Sequence, residues 1–233
     1  FSAWIGGDCV IDLHGGWSDR KHVSPWSGET LVPVFSTTKP IAAFVIAMLL
    51  DRDGAPKTGF ETPVAEIWPE FAANGKDRVT IAQLMSHQAG LPGFREAIEP
   101  ALWLDPPALA DAIAQQAPMW PPGEGSGYHP LTWGYLVGEL ARRLSGGRSL
   151  GTVLREEVTH RDPASPIDFW IGLPEAEHGR VAEMMRPRAM PMLGELNEYK
   201  RTAFLTKWAA PDRGGAIWKT IEIPSANGHG TAA

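Results

Sequence analysis

The sequence predicts an α+β chain in which strands come first and helices follow. Three observations carry this. The first 35 residues break into short apolar runs between glycine turns, and residues 36–158 read as a succession of capped helices. Nowhere do strands and helices alternate as βαβ units do. With 43% hydrophobic side chains, 233 residues are enough to bury a substantial core in one or two domains.

The elements follow in order. Trp4-Ile5-Gly6-Gly7-Asp8-Cys9-Val10-Ile11-Asp12-Leu13 places two apolar runs around a Gly-Gly-Asp turn, a hairpin signal. Gly15-Gly16-Trp17 and Ser27-Gly28-Glu29 are further turns. A helix opens at Ser36 and runs to about Asp53-Gly54, where glycine stops it. Ile41, Phe44, Val45, Met48 and Leu49 keep helical spacing, and the positions between them are apolar too, so this helix is expected to be buried on all sides. Thr62 is expected to cap a short helix with Pro63 at its first position and Pro69 as its stop. Thr80 and Gln83 form a capping-box pair for the next helix, which ends in the loop Ser86-His87-Gln88-Ala89-Gly90-Leu91-Pro92-Gly93. Further helices are expected over 105–116, 131–144 and 149–158. The rigid-then-flexible loop Pro121-Pro122-Gly123-Glu124-Gly125-Ser126-Gly127 delivers Tyr128. Residues 167–172 read as a short strand, 184–192 as irregular, and 217–223 as loosely alternating.

Composition excludes several functions. The formal net charge is −6, and Arg142-Arg143 is too short to be a basic patch, so no nucleic-acid partner is expected. One cysteine, Cys9, rules out an internal disulfide. The histidines have no ligand spacing, so neither metal nor cofactor is expected. No stretch reaches ~18 apolar residues, so no membrane span is expected. The ten tryptophans are scattered rather than clustered, which reads as core and cleft lining, with a sugar or aromatic platform as the rival. The compartment expected is the cytoplasm, with periplasm or secretion if a leader has been removed; a homo-oligomer is left open.

The chemistry sits in Ser36-Thr37-Thr38-Lys39. Residues three apart share a helix face, and a desolvated lysine can take the proton that makes a serine hydroxyl nucleophilic. A helix N-terminus adds unpaired N–H groups that favour developing negative charge. The rival for the tetrapeptide alone is a serine cap followed by a solvated lysine. Tyr128 is the second candidate: beside an ammonium, a phenol can share the proton work. Gly123-Glu124-Gly125-Ser126-Gly127 places its serine fourth and is therefore not the Gly-x-Ser-x-Gly of an α/β-hydrolase.

Phe35-Ser36-Thr37-Thr38-Lys39-Pro40, Pro63-Val64 with Trp68-Pro69-Glu70-Phe71, Leu84-Met85-Ser86-His87-Gln88-Ala89-Gly90-Leu91-Pro92, and Pro122-Gly123 with Tyr128-His129-Pro130-Leu131-Thr132-Trp133-Gly134 together resemble the serine β-lactamase/penicillin-binding-protein superfamily. The likeness is greatest to its class C-like branch, which includes the family VIII esterases. The resemblance implies a β-lactamase/transpeptidase-like fold, an antiparallel sheet flanked by helices plus a helical domain, with the site in the cleft between them. It implies one catalytic domain over 1–233: strands in 1–35, a mainly helical region over 36–165, and an irregular segment over 166–233 leading back to the sheet. It implies Ser36 as nucleophile, Lys39 and Tyr128 as its proton-transfer partners, and the Ser36 N–H as one oxyanion donor. Cleft positions are Pro130, His129 and Trp133, with His229 as candidate for the family's third motif.

Two departures matter. The second motif reads Tyr128-His129-Pro130 where class C β-lactamases have Tyr-x-Asn, and proline has no side-chain amide, which favours an esterase. The third motif is absent unless Gly228-His229-Gly230-Thr231 supplies it. The last residues instead resemble a segment that opens a helix capped by Asn227, so the expectation is a chain whose C-terminal strands and third motif lie beyond Ala233. The expected activity is acyl transfer on a small carboxylic ester. Alternatives are a β-lactamase or a D-amino-acid peptidase or transpeptidase of the same fold, or a catalytically silent binding module.

Overall fold

A computed structural model describes residues 1–52, 58–95, 97–185, 194–204 and 211–231. The expected hairpin forms: β1 (Ser2–Ile5) pairs antiparallel with β2 (Asp8–Asp12). Gly6 and Gly7 turn it at φ +61° and +93°, conformations in which a side chain would be strained.

A three-stranded antiparallel sheet lies next to the site. It has the order β3 (Val32–Pro33), β5 (Gly228–Gly230), β4 (Phe169–Ile171), so β5 is its central strand. His229 faces Pro33 on one side and Trp170 on the other. This corrects the expectation of a helix after Asn227. The Asn227 carboxamide accepts from the Ile223 N–H (2.9 Å) and donates to the carbonyls of Trp218 (2.7 Å) and Ile221 (2.5 Å). It therefore closes the preceding loop rather than capping a helix, and it hands the chain to a strand whose neighbours are already in place.

The long helix α1 (Thr38–Leu50) is preceded by one 3-10 turn over Phe35–Thr37, so Ser36 stands on that turn rather than inside the helix. α1 buries one face (Lys39, Ala42, Val45, Ile46, Leu49), while Phe44 is 52% exposed. The expectation of burial on all sides is thus corrected. Every position from Pro40 to Leu50 is apolar, but the described elements cover only one side. The helix ends at Leu50; residues 53–57, where the glycine stop was expected, lie outside the described residues.

The helices behind α1 follow their sequence signals with one exception. α2 (Val64–Ile67) has no side-chain cap, because the Thr62 hydroxyl accepts instead from the Gly59 N–H at 2.9 Å. α3 (Ile81–Met85) carries the complete Thr80–Gln83 capping box. α4 (Pro106–Ala114) is capped by Asp105, and α6 (Leu150–Leu154) by Ser149. α5 (Thr132–Leu144) packs against α1 and α4, and Val45, Ile46, Leu49, Leu109, Ile113, Leu136, Val137 and Leu140 are all buried in one core. Trp68, Phe71 and Trp103 complete it, which is the use expected of the tryptophans there.

α6 passes into one wide π turn over Arg155–Thr159 rather than running straight to 158. α7 (Glu198–Phe204) and α8 (Ala216–Thr220) are the last helices described, and 186–193, most of the stretch expected to be irregular, lies outside the described residues. α8 replaces the loose alternation expected over 217–223. One helical turn swings Trp218 inside, to 1% exposure, and burying that ring outweighs the strand preference of the isoleucines around it.

Candidate active site

Ser36 is exposed on its turn, and Lys39 lies buried one turn further along α1. The turn is held open by backbone geometry. Phe35 sits at φ +48°, a left-handed conformation that costs a bulky residue on the order of 1 kcal/mol or more. Thr38, fully buried, fixes it from behind: its hydroxyl donates to the Phe35 carbonyl (2.5 Å) and accepts from the Gly228 N–H (2.8 Å). Val34 N–H in turn donates to the Gly228 carbonyl (2.8 Å). The central strand and the serine turn are thus one hydrogen-bonded unit. The Ser36 N–H itself meets no backbone acceptor among the described residues.

Tyr128 arrives from the other side on a loop tied down along its length. Gly123 N–H donates to the Gln88 carbonyl (3.1 Å), Trp120 Nε1 to the Gly125 carbonyl (3.0 Å), Ser126 Oγ to the Ser86 carbonyl (3.1 Å) and Gly127 N–H to the His87 carbonyl (3.1 Å). From α7, Tyr199 Oη donates to the Tyr128 carbonyl at 3.0 Å. Tyr128 Oη then lies 2.5 Å from Ser36 Oγ.

Lys39 Nζ joins both groups. It is 2.9 Å from Tyr128 Oη and 3.4 Å from Ser36 Oγ, and it donates to the carbonyls of Pro130 (3.1 Å) and Ser225 (2.9 Å). The Tyr128 ring passes 4.6 Å from the same nitrogen. No carboxylate compensates its charge within ion-pair distance among the described residues, and burial pushes the lysine down to about 8. An ammonium has three N–H bonds for these four acceptors; the neutral amine has two, and the two carbonyls can take both. Its lone pair is then left for a hydroxyl.

Two histidines border the cluster. His87, at φ +65°, presents its ring edge-on to Tyr128 (4.9 Å between centroids), and its Nδ1 accepts from the His129 N–H at 3.2 Å. His129 is fully buried: Nε2 accepts from the Leu91 N–H (2.9 Å), and Nδ1 faces the Gly127 carbonyl and so carries the proton. Burial, then the nearby Lys39 charge, lowers His87 to about 4; burial above all lowers His129 to about 3. Both rings are neutral braces at neutral pH.

The open side of Ser36 and Tyr128 is a cavity of about 300 Å³, walled by Phe35, Pro130, Leu131, Phe204, Trp218 and Ala226 among others. Ser36, Tyr128 and Pro130 therefore meet in one place, with Lys39 beneath them. His129 and Trp133 pack behind the wall instead of facing the cavity; the Trp133 ring lies 5.8 Å from Lys39 Nζ, and its Nε1 donates to the Met85 carbonyl (3.0 Å). His229 is 1% exposed on β5 and is not among the described residues lining the cavity, and the charges that reach it are those of Lys219 and His178. Thr38 and Ser225 were not among the expected site residues. Thr38 lay inside the quoted tetrapeptide, but nothing marked Ser225, which acts through its carbonyl. Among the described residues no group of acidic, histidine or cysteine side chains has the arrangement of a metal site, and no helix is long and apolar enough to cross a membrane.

A small antiparallel sheet against a buried helix, with serine, lysine and tyrosine gathered where they meet, is the architecture of penicillin-recognising serine enzymes and their relatives. The chain belongs to the Beta-lactamase family, whose model matches residues 1–233. It is 36% identical over 243 residues to the esterase/beta-lactamase LipL of Mycobacterium tuberculosis, covering 99% of this chain and 55% of that protein. Its structure is similar to that of a penicillin-binding protein homologue from Caulobacter crescentus (TM-score 0.90, 49% identity, 99% of this chain and 60% of the other). It is also similar to a family VIII carboxylesterase (TM-score 0.83, 38% identity, 96% and 58%). The chain thus spans little more than half the length of these relatives.

Proposed function

We propose that the chain is the Ser36-bearing part of a serine hydrolase that cleaves small carboxylic esters through an acyl-enzyme, residues 1–233 forming one catalytic domain. The observation that carries this reading is the position of Lys39, buried without a counter-ion among the described residues and between two carbonyls that leave its lone pair facing Ser36 and Tyr128. At neutral pH ~10% of a lysine of this basicity is uncharged, enough to act as a base. Ser36 Oγ attacks the ester carbonyl as its proton passes to the Tyr128–Lys39 pair. The tetrahedral oxyanion forms with the Ser36 N–H as one donor, and collapse breaks the ester bond as the same pair returns the proton to the departing alkoxide. A water then repeats the sequence on the acyl-enzyme, releasing the acid and restoring Ser36.

An ester is favoured over a β-lactam because position 130 contributes only a backbone carbonyl, and that carbonyl is engaged by Lys39. The relatives named as esterases support the same choice, and the one named esterase/beta-lactamase keeps the lactam reading as the alternative. The test compares p-nitrophenyl butyrate and nitrocefin turnover by wild type and Ser36→Ala, together with labelling by a fluorophosphonate. The expected result is ester hydrolysis and labelling that both vanish in Ser36→Ala, with weak nitrocefin turnover. Ester hydrolysis retained by Ser36→Ala overturns the mechanism, and a folded wild type that neither labels nor turns over ester makes the chain a silent member of its family.

A further inference from the structure

Apart from the Ser36 and Tyr128 hydroxyls, the described lining of the cavity is apolar except at one place. Its described lining includes no acidic residue, and at its edge stands Arg213, an exposed side chain whose guanidinium lies 6.0 Å from the ring of the buried Trp218. No carboxylate pairs with Arg213 among the described residues. Lys39, the other cation of this cavity, lies beneath its floor. An apolar pocket with positive charge at its rim and base, and no negative charge in its described wall, attracts anions and repels cations. A guanidinium backed by an aromatic face also keeps its fork of N–H donors free for a carboxylate.

We propose that Arg213 is a specificity-determining residue and that the preferred esters carry a carboxylate a few atoms from the scissile carbonyl. This rests on the ester-hydrolase reading above. The cavity, at about 300 Å³, lies at the small end of ligand sites, which suits a half-ester of a short dicarboxylic acid.

The experiment measures kcat/KM on three substrates. Mono-p-nitrophenyl glutarate carries the anion in the acyl group, 4-acetoxybenzoate carries it in the leaving group, and p-nitrophenyl butyrate is neutral. For Arg213→Gln, the ratio of at least one anionic substrate to the neutral one is expected to fall about 10-fold or more, and further for Arg213→Glu, as the loss of a charge-assisted hydrogen bond requires. Whichever anionic substrate responds tells whether the carboxylate belongs to the acyl or the leaving group. Unchanged ratios for both overturn the proposal. Calorimetric binding of glutarate to Ser36→Ala protein, with and without Arg213→Gln, reads the same contact without chemistry. Binding that is lost with Arg213→Gln supports the contact even where no ester is hydrolysed, and binding indifferent to the substitution, or none at all, overturns it.

Discussion

Lys39 Nζ lies 2.9 Å from Tyr128 Oη, and the carbonyls of Pro130 and Ser225 hold that nitrogen from the other side. The lysine is lowered to about 8 by burial, so its basic, uncharged form gains as pH rises through that value. Ester kcat/KM is therefore expected to rise with a single limb near pH 8 and to level off above it. Because His87 and His129 are lowered to about 4 and 3, no histidine limb is expected near pH 6.5. A stopped-flow pH profile checks both points. Lys39→Arg, whose guanidinium stays charged, is expected to remove the limb along with the activity.

Tyr128→Phe removes only the phenol oxygen and leaves the ring against His87 and Lys39. If that oxygen relays the proton of Ser36, kcat is expected to fall by about 10²-fold or more while the fold is kept, as loss of an acid/base group does. Steady-state kinetics with a matched thermal melt decides it.

Thr38→Val keeps the side-chain volume but removes the hydroxyl between the Gly228 N–H and the Phe35 carbonyl. A buried donor left unpaired costs about 1–3 kcal/mol. The expected outcome is a Tm lower by about 2–4 °C per kcal/mol, read by calorimetry, and slower acylation because the strained turn loses its support.

At Gly134 an added Cβ would meet Ser225 Oγ at 2.6 Å and Ser225 N at 2.7 Å. Gly134→Ala must push Ser225 off α5, and its carbonyl then leaves Lys39. About 1–3 kcal/mol of stability is expected to be lost, together with a displaced pH limb. A stable protein with the wild-type pH profile would show that the Ser225 carbonyl does not tune the lysine.

The Asn227 side chain, fully buried with three hydrogen-bonded partners, is expected to be worth more than any cap. Asn227→Ala should destabilise by about 2–4 kcal/mol in urea melts.

Much of this was legible in the sequence wherever local rules act alone. The Thr80–Gln83 box and the Gly6-Gly7 hairpin depend on neighbours a few residues away, and each formed where its signal stood. Ser36, Lys39 and Tyr128 were legible as chemistry, through the spacing of one pair and the glycine loop before the third. What failed depended on distant partners. Asn227 looks like a cap to its neighbours, but Trp218 and Ile221 claim its amide. Residues 217–220 become helical because Trp218 finds a buried seat, and Thr62 loses its capping role to a competing partner close by, Gly59. Carbonyl partners such as that of Ser225 leave no trace in a sequence, since every residue has one.

The segments that grip Lys39 come from the Ser36 turn, from Tyr128 and Pro130 just before α5, and from the loop at Ser225, 186 residues away in sequence. The lysine is therefore desolvated and held only when the last of these has docked. In a partly folded molecule the lysine is expected to be solvated and charged, and Ser36 unactivated. On the proposed mechanism, covalent labelling of Ser36 is expected to count molecules in which Ser225 has docked, and its appearance during refolding to time the arrival of that loop rather than the collapse of the core.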